Sequence, residues 1–346
     1  MISAVVVAWG QAPFLERCVA QLLASEGTDV EVIVVDNGVV DDSVAALGRD
    51  DRLRRVAAPG NLGFGGGCNL GASLATGELM AFVNPDALVE PGALAALAGA
   101  LDDPTVGIAT AQVRLLREPG LVNSAGGAIH FLGLGWAVGY GQPASRAGTR
   151  RDVAAASGAA MALRAETFAA LQGFTEELFL YHEDADLSWR CWMGGWRVAY
   201  IPEAVVFHDY EFTSHPEKLY FLERNRLALV LTCYEARTLC LLAPALLAFE
   251  AGMVASATAQ GWLGAKVRGW AWLFRHLGWL RQQRARCQRQ RREGDPELAG
   301  LLQTHFDATH FPSSFPVRVA DRFLAAYWAT LRRFALRSPS AQRAER

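Results

Sequence analysis

Three carboxylates fall within four residues, Glu183, Asp184 and Asp186, inside the run FLYHEDADLSWR at 179–190. Acids crowded beside apolar residues repel one another and lose hydration, so one of them is expected to keep its proton to higher pH and to serve as a general base. Capping of the helix that starts here by Asp184, with its neighbours offsetting the helix dipole, is the structural alternative and coexists with catalysis.

Other residues with chemical potential stand at the ends of apolar runs. The run at 30–35 ends in Asp36-Asn37-Gly38, and the run at 79–83 leads into Asn84-Pro85-Asp86. Each places a carboxylate where ligands of open α/β sheets bind, and Asp86 is an oxygen donor suited to a hard divalent cation. Turn chemistry explains both equally well. His208 follows the run 204–207 and could complete a metal site as an imidazole ligand; a structural histidine is the plainer reading. The glycine-rich segment NLGFGGGCNLG (61–71) feeds a helix and could bring backbone N–H groups close to a diphosphate. Tight helix–sheet packing is its alternative. No dinucleotide fingerprint results, because Cys68 and Leu70 stand where G-x-G-x-x-G would need glycine, and no P-loop motif is present. His305 and His310 are too far apart for a helical metal pair, and His130 and His182 stay open.

Positioning these residues requires a sheet covered on both sides. β-rich runs at 2–8, 30–36, 53–57, 79–83 and 106–110 alternate with helical patterns, the signature of an α/β fold. Pro13 opens a helix whose Leu15, Cys18, Val19, Leu22 and Leu23 form one buried face. A polar, glycine-rich stretch at 123–151 reads as a lid or acceptor loop, and 154–163 as a further strand-like run. Helices are expected at 165–172, closed by Gly173, and at 184–193, closed by Gly194 and Gly195. A strand pair at 196–201 and 204–208 follows around Pro202.

With 346 residues, 51% hydrophobic and 20% charged, the chain can bury a large core, which excludes disorder. Net charge is -2, without the basicity of a nucleic-acid binder. Six scattered cysteines without a C-x-x-C pair argue against a zinc knuckle or disulfide framework and for a reducing cytosol. The apolar N-terminus lacks a basic n-region and reads as a buried strand, not a signal peptide. Charge is uneven, however. Residues 260–292 hold nine Lys/Arg and no acid, interleaved with Trp262, Trp270, Trp272, Phe274 and Trp279, a pattern that suits an anionic membrane surface. The run 239–259 is the nearest approach to a membrane span, interrupted by Pro244 and Glu250. The texture changes near residue 216, and a division at 1–225 and 226–346 is expected.

In this order, the motifs resemble family-2 inverting glycosyltransferases of the GT-A fold, and NLGFGGGCNLG, NPDA and LFLYHEDADLSWR are most similar to the rhamnosyltransferase-like branch. The resemblance covers roughly 1–225. It implies a Rossmann-like mixed sheet flanked by helices, followed here by a helical basic C-terminal extension. It further implies that Asp36 binds the base, that Asn84-Pro85-Asp86 is a variant D-x-D motif, and that Asp86 and His208 hold Mg²⁺ or Mn²⁺. Ala8, Asn61, Gly65, Gly66, Asn69 and Asn84 would line the nucleotide, and Gly158 and Ala159 the acceptor side. The first strand leads into Ala8-Trp9-Gly10 where the family usually has a small polar or Tyr-Asn pair, and Asn84 replaces the first acid of D-x-D.

The implied partners are a nucleotide-diphospho-sugar donor, most plausibly deoxythymidine-diphospho-L-rhamnose, and a glycan or polyprenyl-diphosphate-linked saccharide acceptor. Asp184, or else Glu183, would act as base. The enzyme would sit in the cytoplasm, peripheral at the inner leaflet through 260–292, and would not bind nucleic acid. Rival readings are a UDP-sugar-dependent enzyme, a nicotinamide oxidoreductase, and a non-catalytic sugar-nucleotide-binding scaffold.

Overall fold

Both faces of β1 (Ile2–Gly10) are covered, which is why its sequence is apolar without alternation apart from Ser3. Ile2, Ala4, Val6 and Ala8 enter a core with Leu15, Cys18, Val19 and Leu22 of α1 (Leu15–Leu23). Val5 and Val7 face α2 (Gly63–Ala72), where a Cβ on Gly71 would lie 2.3 Å from Val5 and one on Gly67 2.6 Å from Val7. Side chains there would overpack the interface, at a cost of about 1–3 kcal/mol each. The glycine-rich segment is thus largely inside a helix, and close packing on the sheet accounts for Gly67 and Gly71.

This computed structural model describes residues 1–210, 216–310 and 315–336. The chain divides into two units, one of Met1–Gly127, Ala137–Cys191 and Trp196–Phe212, the other of Ala128–Trp136, Trp192–Gly195 and Thr213–Arg346.

In the first unit β1 lies between β2 (Val30–Val39) and β4 (Leu79–Val83), parallel to both, and β3 (Leu53–Ala57) extends the parallel set. Beyond β4 the direction reverses. β11 (Ala160–Arg164) runs antiparallel between β4 and β6 (Val106–Leu115), and β12 (Arg197–His208) is parallel to β6. Short strands β5 (Ala87–Val89), β7 (Val122–Ser124) and β10 (Arg151–Asp152) pair antiparallel with β12, β6 and β12. A separate ribbon joins β8 (Gly127–Ile129) to β9 (Gly135–Ala137). The remaining helices up to β12 are α3 (Ala93–Ala100), α4 (Ala165–Leu171) and α5 (Glu183–Met193). This is the mixed α/β sheet expected from the sequence.

Topology decides where the chemistry gathers. The C-terminal ends of β1, β2, β4 and β12 and, because it is reversed, the N-terminal end of β11 meet at one sheet edge. Every site residue expected on a strand end lies there.

Several elements differ from expectation. The strand pair around Pro202 is one strand, β12, bulged between Ile201 and Val205 so that proline needs no ladder partner. Of the run 154–163 only 160–163 belongs to a β-strand, β11. The supposed lid at 123–151 is mostly buried over 123–134 and exposed only near 141–150, because apolar Phe131, Leu132 and Leu134 outweigh its glycines.

The second unit contains α6 (Pro216–Cys233), α7 (Ala236–Ala259), α8 (Leu263–Arg275), α9 (Leu277–Gln290), α10 (Asp295–Leu298) and α11 (Phe315–Phe334). α7 runs unbroken through Pro244, is long and apolar enough to cross a membrane by length and composition, and is only 17% buried over its most apolar window. At its centre Glu250 turns inward, pairing with Arg226 and, at 2.9 Å, with Lys266, while Trp270 donates to it at 3.0 Å. Glu223 completes the group, 3.0 Å from Arg226 and 2.5 Å from Lys266. Burial alone would raise the Glu223 carboxyl, yet the two cations bring it down to about 2. Lys266 is therefore not a surface cation. Trp262 is buried, whereas Trp270, which donates to Glu250, Trp272, which stacks on His276 under Arg224, and Trp279 are half-buried.

Candidate active site

At the end of β2, Asp36 pairs in register with Ala8 of β1 and accepts N–H bonds from Gly38 and Val39 at 3.1 and 2.9 Å, both to Oδ1. That is turn chemistry, and it aims a half-exposed carboxylate along the sheet edge. Trp9, part of the Ala8-Trp9-Gly10 departure, is 62% exposed and lies beside Gly38. Asn37 is a residue whose role the sequence reading omitted. Buried, it accepts from Leu62 N–H at 2.8 Å and donates to Asn61 Oδ1 and the Gly63 carbonyl, fixing the entry to α2. Asn61 also accepts from Gly63 N–H.

Gly65 and Gly66 are buried in the first turn of α2, where added Cβ atoms would sit 3.1 Å from Phe174 and 3.0 Å from Leu62. Asn69 is a strut: its amide donates to the Phe174 carbonyl and Glu176 and accepts from Phe174 N–H.

The end of β4 is assembled around His208. Its Nε2 lies 3.1 Å from Asp86 Oδ1 and 3.3 Å from Asn84 Nδ2, and its Nδ1 lies 3.0 Å from Asn123 Oδ1. Since an amide oxygen only accepts, Nδ1 carries a proton, and Nε2 faces the Asp86 carboxylate and the Asn84 amide. An imidazole nitrogen beside a carboxylate oxygen is a donor pair that fits Mg²⁺ or Mn²⁺. Among the described residues no group of three His, Cys, Asp or Glu converges on one point. Asn123, at the start of the supposed lid, sets the histidine tautomer; only three-dimensional proximity shows this.

Gly158 and Ala159 join this group to the acids. Ala159 accepts the Asn84 N–H at 3.1 Å, and Gly158 N–H donates to Asp184 Oδ2 at 3.0 Å. Asp184 Oδ1 accepts from Ala185 N–H at 2.7 Å. Burial pushes the Asp184 carboxyl up, and these two N–H bonds partly oppose it. Glu183, 6% exposed and with Oε2 lacking a partner among the described residues, is pushed well above the carboxylate range by burial and then by Asp184. Asp184 is the half-exposed member and can reach a substrate.

The backbone before the pair is strained. Phe179, Tyr181 and His182 all have positive φ, and Leu180 N–H bonds back to Leu178, closing a γ-turn. Such conformations cost about 1–3 kcal/mol each and persist where the surroundings over-determine them. Asp186 anchors the helix behind: it accepts from Thr175 and pairs with Arg190, whose guanidinium also holds the Leu171 and Gly173 carbonyls. Of the open histidines, His182 leads into α5, and His130 is buried and brought down to about 3 by desolvation.

A model of the family described as glycosyltransferase like family 2 matches residues 1–232. The chain belongs to this family. It is 30% identical over 237 residues, 60% of this chain and 76% of the relative, to the N-acetylglucosaminyl-diphospho-decaprenol L-rhamnosyltransferase of Mycobacterium tuberculosis. It is 28% identical over 214 residues, 60% of this chain and 43% of the relative, to the pre-mycofactocin glycosyltransferase of the same species. Among solved structures, S. aureus TarS 1-349 in complex with UDP aligns with a TM-score of 0.51 at 16% identity, covering 100% of this chain and 92% of that one. GalNAc-T7 with UDP, GalNAc and Mn²⁺ aligns at 0.53 and 15% identity, covering 68% of this chain and 48% of that one. The fold is GT-A, and the protein is a glycosyltransferase.

The raised Glu183 carboxyl predicts a pH effect on stability. The folded state holds a proton that the unfolded state has already released, so stability falls as pH rises from the ordinary carboxylate range toward the raised value. Glu183→Gln is expected to melt above the wild type at pH 8, with the gap closing toward pH 4; parallel melting curves across that range would refute the assignment.

Proposed function

We propose that this protein is a metal-dependent inverting glycosyltransferase that moves a sugar, foremost L-rhamnose from a deoxythymidine-diphosphate donor, to a hydroxyl of a polyprenyl-diphosphate-linked or other cell-envelope glycan. The observation that carries this reading is the Gly158–Ala159 step, which hydrogen-bonds Asp184 on one side and the Asn84–Asp86 turn on the other. The choice of donor and acceptor is supported by the similarity to a rhamnosyltransferase named for a diphospho-decaprenol substrate.

In the proposed mechanism Asp36 accepts the N3–H of the pyrimidine and Trp9 offers a ring face beside it. Thymine and uracil present the same donor, so Asp36 does not separate them. Asn61, Gly65 and Gly66 shape the α2 entry near the donor, and Asn69 braces it. Asp86 and His208 would hold the cation, which when bound offsets charge on the departing diphosphate. Asp184 takes the proton of the acceptor hydroxyl as that oxygen bonds to the anomeric carbon. The bond to the diphosphate breaks on the opposite face, its electron pair leaves with the phosphate oxygen, and a single displacement inverts the centre. Burial raises the Asp184 pKa, which makes its ionised form a stronger base than an ordinary carboxylate.

We also infer that the catalytic part, 1–225, works at an anionic inner leaflet through the region 226–346. In support, Cys240, Pro244, Leu247, Ala251 and Ala255 lie on the exposed side of α7 and carry no charge. Phe274 and Leu277 are exposed beside Arg275 and Arg281. Anionic lipid suits both features.

Asp184→Asn should lower kcat by roughly 10²–10⁴ while donor binding is retained, and the wild-type product should show the inverted anomer by NMR. Full turnover in that variant, or a retained anomer, would sink the mechanism. Flotation with phosphatidylserine vesicles should recover the protein and high salt should release only part of it; no flotation at low salt would remove the membrane from the reading.

A further inference from the structure

Three tyrosines that the sequence reading never singled out border the acid and histidine groups. Tyr140, Tyr181 and Tyr210 are each half-buried. The Tyr210 ring stands 5.8 Å from the His208 ring and 5.9 Å from that of Tyr140, edge-on at 78°. Its position is fixed by backbone: Tyr210 N–H bonds to the His208 carbonyl at 2.9 Å, and Asp209 N–H to the Asp86 carbonyl at 3.1 Å. Tyr181 comes from the other side, three residues ahead of Asp184, in the left-handed conformation that bulky residues avoid.

Tyrosine rings beside the histidine, with another just ahead of the acid pair in sequence, have a chemical meaning. Nucleotide and diphosphate need donors, cations and a planar base site, whereas a pyranose ring presents an apolar C–H face flanked by hydroxyls. Aromatic rings with a polar tip match that surface. We infer that Tyr210, with Tyr140 and Tyr181, forms a saccharide-stacking subsite for the pyranose at the reacting centre. The inference rests on the glycosyltransferase reading and deepens it. The ring belongs either to the sugar being transferred or to the acceptor.

Saturation-transfer NMR on the full chain with Mg²⁺ tests this, using deoxythymidine-diphospho-L-rhamnose, UDP-glucose and methyl N-acetylglucosaminide as probes. Wild-type protein should saturate pyranose C–H protons. Tyr210→Leu should cut that signal roughly 3- to 10-fold, Tyr210→Phe should keep it, and the nucleobase protons should be unaffected in both, which reports an intact fold. Signal on the donor sugar assigns the wall to the transferred ring, and signal on the free glycoside assigns it to the acceptor; either supports the inference. Pyranose saturation that is absent for every probe, or unchanged in Tyr210→Leu, would overturn it. Ring contact without any sugar transfer would instead overturn the catalytic reading and leave the subsite standing.

Discussion

The peptide units of Gly158 and Ala159 are the constraint on which the site depends. One hydrogen-bonds the Asp184 carboxylate and the next the backbone of Asn84, so the two halves of the site cannot move independently. A Cβ at Gly158 would sit 3.4 Å from Asp184 Oδ2 and 3.7 Å from Phe64, leaving little room for a larger side chain. The bridge exists because β11 is antiparallel to β4, which brings its N-terminal end to the edge where β4 terminates. One reversed strand in a mostly parallel sheet thereby links a strand-end carboxylate to a helix-start carboxylate.

Much of this was legible in the sequence because it follows from periodicity and local chemistry. Apolar-rich runs marked β1, β2 and β4, and the acids after β2 and β4 marked the ligand-binding edge. What escaped was set by tertiary contact. Asn123 matters only because folding brings it to His208, and Tyr140 and Tyr210 meet across 70 positions of sequence. The glycines of 61–71 show a different limit: the motif announces close backbone approach, but whether to a phosphate or to Val5 and Val7 is decided by the neighbouring strand.

Counting charge misled more than counting apolar residues. Lys266 belongs to a buried group with Arg226, Glu223 and Glu250, where mutual pairing offsets desolvation, and Arg284 and Arg291 cap carbonyls at the end of α6. Of the tryptophans in this region only Trp262 is buried; Trp270, Trp272 and Trp279 are half-buried. The exposed apolar surface of the second unit includes α7, Phe274 with Leu277, and Phe323 and Phe334 of α11. Composition located the region but not the face.

The central claim is that Asp86 and His208 meet a diphosphate through a divalent cation. Calorimetry of deoxythymidine diphosphate and UDP binding, with and without Mn²⁺, in wild-type and Asp86→Ala protein tests it most directly. The account predicts that Mn²⁺ tightens binding of at least one nucleotide roughly ten-fold or more in the wild type and has no such effect in the variant. Binding indifferent to Mn²⁺, or metal dependence that survives the loss of Asp86, would contradict it.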